Sequence, residues 1–187
     1  MRRMRFLALG GAVLFALAPL AARAKDPPEI ERIRAQYKEA TAGGGKAFYV
    51  TEVEINTGQN NAPAVGTYHK KVRFFWDWPS GGNAILVRAE LEAQISAPHY
   101  IEEYLFAIPQ QDEPDARQGK LIFAYVRGGY EERDTRCYFK DDKLIRVVEG
   151  NTTRDQPAGH WPTLDREVQT RAKKVLDAFR ALDVLPP

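Results

Sequence analysis

Hydrophobic residues recur along this chain at two different periods, and the changes of period divide it into helix, sheet and helix. Ile30, Ile33, Tyr37 and Ala40 fall on one face at helical spacing, while Glu31, Arg32, Arg34 and Lys38 form a solvated opposite face. Asp26 is the expected cap of this helix, the prolines after it suit a first turn, and Gly43-Gly44-Gly45 ends it. From Lys46 to about Gly150 the period falls to two. Seven strands are expected, over 47–56, 69–78, 85–95, 100–108, 121–127, 134–140 and 144–149. Ser80-Gly81-Gly82-Asn83, Gly128-Gly129 and Asp141-Asp142 mark turns between them.

The clearest alternation runs from Ile85 to Ile95. Ile85, Val87, Ala89, Leu91, Ala93 and Ile95 are expected on one face and Arg88, Glu90, Glu92 and Gln94 on the other. A polar loop from Gly150 to Pro162 then leads to a last helix, with Thr163 as its expected cap and Asp165 and Glu167 near the positive end of its dipole. Leu164, Val168, Ala172, Val175, Phe179 and Leu182 make its apolar stripe, and Pro186-Pro187 stops it. Consecutive strands without intervening helices predict a meander. The fold class is α+β: a curved antiparallel sheet of about seven strands, flanked by an N-terminal and a C-terminal helix, one or both covering its apolar face.

The first 24 residues do not fit this pattern. Arg2, Arg3 and Arg5 precede an apolar run over 6–20, shorter than the roughly 18–20 residues of a bilayer span, and Ala22-Arg23-Ala24 has the small-x-small form of a signal peptidase site. We therefore expect a secretion signal over 1–24, one α+β domain over 25–187, and a periplasmic or secreted protein with no stable membrane anchor after cleavage. The signal also changes the charge. Taking its four arginines (Arg2, Arg3, Arg5, Arg23) from the 27 basic residues leaves 23 against 25 acids, which argues against a nucleic-acid partner. Cys137 is the only cysteine, so no internal disulfide is expected, and its strand context reads as a small buried hydrophobe.

Chemistry-bearing motifs are sparse. His69, His99 and His160 lie far apart with no second ligand at metal spacing, so neither a metal nor another cofactor is expected. Adjacent carboxylates such as Glu102-Glu103 point to opposite faces of a strand, and no catalytic residue is assigned. Ser80 lacks the strand-to-helix elbow of a nucleophile, and no phosphate-binding glycine loop occurs. The most suggestive run is 72–78. There Phe74, Trp76 and Trp78 share one face and Arg73, Phe75 and Asp77 the other. The aromatic row reads as core beneath a helix, with a stacking surface for a ligand as the alternative. Arg73, Asp77, Arg88, Glu90 and Glu92 read as a wet outer face, with a charged ligand floor as the alternative. If there is a ligand site on the sheet, its candidates are Trp76, Trp78, Arg73, Arg88 and Glu90.

Tyr104-Leu105-Phe106 followed by Lys120-Leu121-Ile122 is echoed by Tyr138-Phe139 followed by Lys143-Leu144-Ile145, as two hairpins of one design would produce. The stretch from Glu103 to Arg146 resembles the Tyr/Phe-rich antiparallel meander of small uncharacterised exported bacterial proteins. That resemblance implies an exported sheet protein and no particular activity or functional residue. The functional expectation is a non-enzymatic binding or inhibitor-type module for a protein or small-molecule ligand. An enzyme with acid and base on separate strands, or an accessory subunit of an envelope complex, are the alternatives.

Overall fold

The computed structural model describes residues 26–42, 48–79, 82–108, 119–128, 134–156 and 159–182. The signal segment, the triple glycine and Pro186-Pro187 lie outside the described residues. Helix α1 (Pro28–Thr41) is followed by β1 (Tyr49–Ile55), β2 (Asn61–Ala62), β3 (Gly66–Asp77), β4 (Ile85–Ile95), β5 (His99–Phe106), β6 (Leu121–Gly128), β7 (Asp134–Lys140), β8 (Lys143–Glu149), β9 (Thr152–Arg154) and α2 (Trp161–Ala181). The strands pair in the order β1-β3-β4-β5-β6-β7-β8-β9, all antiparallel, with β2 folded back on β3. This is the expected α+β meander with two more strands, β2 and β9. Both are too short for a period of two to register.

Each helix takes its own face of the sheet. Ile30, Ile33 and Ala40 of α1 pack with Val87, Leu105, Ile122, Phe123, Tyr138 and Val148. Trp161, Val168, Ala172, Val175 and Phe179 of α2 pack on the other side, with Phe74, Trp76, Leu86, Ala89, Tyr104, Phe106 and Phe139. The sheet is thus the middle of three layers, and its central strands bury both surfaces.

Burying both faces of strands that alternate apolar and polar residues takes an irregularity, and it occurs three times. In β3–β4, Phe75 pairs with Arg88 and Trp76 with Leu86, leaving Val87 without a partner. In β5–β6, Leu105 pairs with Phe123 and Phe106 with Leu121, leaving Ile122 over. In β7–β8, Tyr138 pairs with Arg146 and Phe139 with Leu144, leaving Ile145 over. Each is a β-bulge one residue past a leucine that faces α2, and each sends two successive residues toward α1. Those pairs are Val87-Arg88, Ile122-Phe123 and Ile145-Arg146. The face expected for 85–95 therefore holds from Ala89 and Leu91 onward but not before: Leu86, not Val87, packs with them on the α2 side.

The turns follow local chemistry. Asp141 and Asp142 adopt φ values of 50° and 60°, forming the tight two-residue connection of β7 and β8. Gly128 sits at φ 136°, where a Cβ would lie 2.4 Å from the His99 carbonyl oxygen, so no side chain fits there. Both expected helix caps need correction. Asp26 does not cap α1, whose N-cap is Pro27; its carboxylate is bound by Arg146 and Arg34 instead. Helix α2 starts two residues earlier than Thr163, after His160, and has no side-chain cap. Asp165 consequently lies beyond the first turn, where it accepts a hydrogen bond from Gln169 at 2.5 Å.

Trp76 belongs to the core. It is 6% exposed, its ring centroid is 6.3 Å from that of Phe179, Tyr49 stacks on its other side at 4.6 Å, and its Nε1–H donates to Thr51 Oγ1 at 3.0 Å. Trp76→Ala is expected to destabilise the fold by about 3–5 kcal/mol through the cavity it leaves, a large share of a typical domain's total of about 5–15 kcal/mol. A thermal melt beside wild type checks this; an unchanged Tm would contradict the packing.

Candidate functional site

The two faces of the sheet differ in how fully they are covered. The α2 face is sealed over its apolar strip, and two of its polar groups pair within the layer. Tyr104, fully buried, donates to Glu102 Oε2 at 2.6 Å, and Arg171 of α2 lies 3.2 Å from Glu102 Oε1. Cys137 is buried in this layer, its thiol pushed up to about 12 by burial, so it is held protonated and unreactive.

Helix α1 is shorter and leaves openings beside it. A cleft of about 400 Å³ lies between the helix and the sheet, lined by Ile33, Arg34 and Tyr37 of α1 and by Glu103, Phe123, Tyr125, Arg136 and Tyr138. Its aromatic wall is interlocked: the Phe123 ring meets those of Tyr37 and Tyr138 edge-on, each at a centroid distance of 5.1 Å. Arg34 and Arg136 bring guanidinium groups to this wall from opposite sides, helix and sheet. Both side chains are about half exposed, Arg34 pairing with Asp26 and Arg136 with Asp134 at 2.5 Å.

Glu103 links this cleft to a second recess of about 240 Å³ bordered by Lys71, Arg73, Glu90, Glu92 and Ile101. Between the two openings stands a neutralised cluster. Arg88, 8% exposed, lies 4.1 Å over the Phe75 ring, pairs with Glu90, and has Glu103 Oε2 at 3.9 Å. Arg73 reaches Glu90 at 2.6 Å, and Tyr37 donates its phenol to Glu103 at 2.8 Å. Burial first, and the bond to Glu103 second, push the Tyr37 phenol far above its ordinary range. It therefore acts here as a hydrogen-bond donor and not as a base.

The five residues singled out from the sequence do not form one site. Arg73, Arg88 and Glu90 come together on the α1 face as part of this cluster. Trp76 is on the opposite face under Phe179. Trp78 is 39% exposed beyond the end of β3, with its Nε1–H on the Gly82 carbonyl at 3.0 Å. The cleft's own residues were not singled out. Tyr37 had been read only as part of the apolar stripe of α1. Tyr125, Arg136 and Tyr138 sit directly opposite one another or their neighbours across β6 and β7. Such cross-strand placement depends on the register of β6 against β7, which local sequence pattern does not state. The three histidines each stand beside a single carboxylate: His69 by Glu54, His99 by Glu92 and His160 by Glu149.

Comparison with protein-family models, with curated proteins and with solved structures finds no match to this chain. Among the described residues no helix is long and apolar enough to cross a membrane.

A buried arginine holds α1 in place over the cleft. Arg146, 5% exposed, binds Asp155 through two of its nitrogens and donates to Asp26 Oδ1 at 2.5 Å, fastening the start of α1 to β8 and to the residue that follows β9. Its hydrogen bonds draw both carboxylates below their ordinary range. Carboxylates depressed in the folded state contribute stability that is present above their unfolded value, about 3.9, and lost as pH falls through the folded value. Arg146→Gln is therefore expected to cost about 2 kcal/mol at neutral pH, with the gap from wild type narrowing as pH falls below about 4. Paired melts from pH 7 down to 2 check this; a gap that stayed constant would show that the clasp is not electrostatic.

Proposed function

We propose that this protein is an exported binding module that takes a small molecule with a flat apolar body and one anionic group into the cleft between α1 and the sheet. The observation that carries the reading is the cleft itself: an interlocked aromatic wall flanked by Arg34 and Arg136. Its volume of about 400 Å³ falls within the roughly 300–1,000 Å³ of small-molecule sites, and an apolar lining with a few placed polar groups is the usual composition of such sites. The guanidinium groups suit a carboxylate, which they can hold through two parallel N–H···O bonds. Glu103, already engaged by Tyr37, supplies an acceptor at the far wall for a hydroxyl or amine on the ligand. With the phenol kept protonated and the nearby carboxylates paired with arginine, the cleft's chemistry favours holding a molecule over transforming it.

Calorimetry with phenylacetate and 4-hydroxyphenylacetate, beside phenylacetamide as the uncharged control, tests the ligand class. The acids are expected to bind about tenfold or more tightly than the amide, and Arg136→Ala to remove most of that difference, since about 1.4 kcal/mol of charge-assisted bonding is a factor of ten. Acids and amide binding alike, or none of them binding, would sink the reading.

Export rests on the basic, apolar and small-x-small segments of residues 1–24. N-terminal sequencing of protein recovered from the envelope is expected to begin near Lys25. An intact first segment in the membrane fraction would contradict it.

A further inference from the structure

Strand β1 ends the sheet. Among the described residues nothing pairs with its outer side, and its seven residues run against β3 without a register shift. The opposite edge, β9, is three residues long. β1 contains no proline, lysine or bulge; of the devices that blunt a sheet edge it carries two charged side chains, Glu52 and Glu54. Tyr49, Val50 and Ile55 are 52%, 56% and 42% exposed, apolar surface spread along the whole strand.

The charges beside it point to what would pair there. On the α1 face the cross-strand rows alternate in sign from β1 to β4; beyond, Glu90 stands opposite Glu103 of β5, with Arg88 beside both. Glu52 stands opposite Arg73, which stands opposite Glu90; Glu54 stands opposite Lys71, which stands opposite Glu92. At the edge the alternation stops on the acids. Lys71 serves both of them, at 2.8 Å from Glu52 and 3.7 Å from Glu54, while Arg73 is drawn inward to Glu90 at 2.6 Å. One more strand carrying a basic residue opposite each glutamate and an apolar residue opposite Val50 would continue every row in phase. A second copy of this strand does the reverse. Antiparallel self-pairing over the full length of β1 sets Glu52 against Glu52 and Val50 against Glu54, and like charges directly opposite one another destabilise a sheet.

We propose that β1 is a docking edge for an extended segment of another protein, which adds to the sheet as a further strand and carries lysine or arginine at alternate positions. Backbone hydrogen bonds supply the affinity of such strand addition, and the alternate side chains supply its selectivity. The site is separate from the cleft beneath α1 and stands or falls independently of it.

The test uses the capped peptide Val-Lys-Thr-Lys-Val-Val-Thr, written to lie antiparallel to β1, and its counterpart with both lysines replaced by glutamate. Hydrogen–deuterium exchange is read along the full chain at each peptide concentration. The basic peptide is expected to slow exchange of β1 amides specifically, and the acidic one to bind about tenfold more weakly or worse. The double variant Glu52→Lys/Glu54→Lys, checked for folding by its melt, is expected to invert the preference; if it fails to fold, the two peptides on the wild-type protein still decide. Protection away from β1, or equal protection by both peptides, overturns the proposal. Protection of β1 that grows with protein concentration in the absence of peptide, together with a dimer in solution, assigns the edge to a second copy and overturns it as well.

Discussion

The two-sided sheet depends on three extra residues, Val87, Ile122 and Ile145, inserted into otherwise regular hairpins, together with the unbroken apolar runs Tyr104-Leu105-Phe106 and Cys137-Tyr138-Phe139. A strand with a strict period of two can bury one face. Its other face must then meet water, and a second helix has nothing to pack on. By letting two successive residues point the same way, each bulge supplies apolar surface to the α1 side without removing the leucine and aromatic pair from the α2 side. The three sites share one local grammar: Leu86-Val87-Arg88, Leu121-Ile122-Phe123 and Leu144-Ile145-Arg146, opposed by Trp76, Phe106 and Phe139 respectively. A leucine, a β-branched residue and a large side chain at each bulge build one layer on each side of the sheet from one recurring step.

The residue after the bulge explains where the charge goes. Arg88 and Arg146 occupy the same step of the repeat, and among the described residues they are the two charged side chains that the fold buries. A buried guanidinium is costly unless it is paired, because its hydration is lost. Both are paired, in different ways. Arg146 holds Asp26 and Asp155 and so fixes the start of α1. Arg88, farther along the sheet, takes Glu90 and the face of Phe75 and lies beside Glu103. Phe123, at the same step of the hairpin between them, is apolar and becomes the centre of the cleft's aromatic wall.

Much of the architecture was legible in the order of residues because it depends on period alone. The stripes of α1 and α2 and the seven longer strands all declare themselves that way, and the burial of Phe74 and Trp76 follows from their alternation with Arg73 and Phe75. What was not legible depends on register. The echo between the Leu121 and Leu144 hairpins was visible as similar letters, but Leu86 belongs to the same set and was hidden inside the long alternation of 85–95. An inserted residue leaves the hydrophobic count unchanged and only shifts its phase. The cap at Asp26 failed for a related reason: a local rule offered the nearest backbone N–H groups, and a guanidinium 120 residues away offered a charge-assisted bond instead. The cleft combines both difficulties. Its residues come from α1 and three strands, and each has an ordinary local reading.

The unequal treatment of the two faces follows from the lengths of the helices. Helix α2 has 21 residues and reaches along the apolar strip from Trp161 to Phe179, so its side of the sheet closes over Tyr104, Cys137 and Trp76. Helix α1 has 14 and is held at its start by Arg146, which places it over β5 to β8 and the start of β4 at Val87, and leaves β1, β3 and the rest of β4 uncovered on that side. The exposed part cannot be apolar without inviting aggregation, and it is filled by the alternating acids and bases of β1, β3 and β4. Those rows alternate in sign from β4 outward and end on the acids at β1. The same short helix therefore accounts for two openings of different character: an aromatic cleft at its flank, and a charged sheet surface that runs out to an unpaired edge.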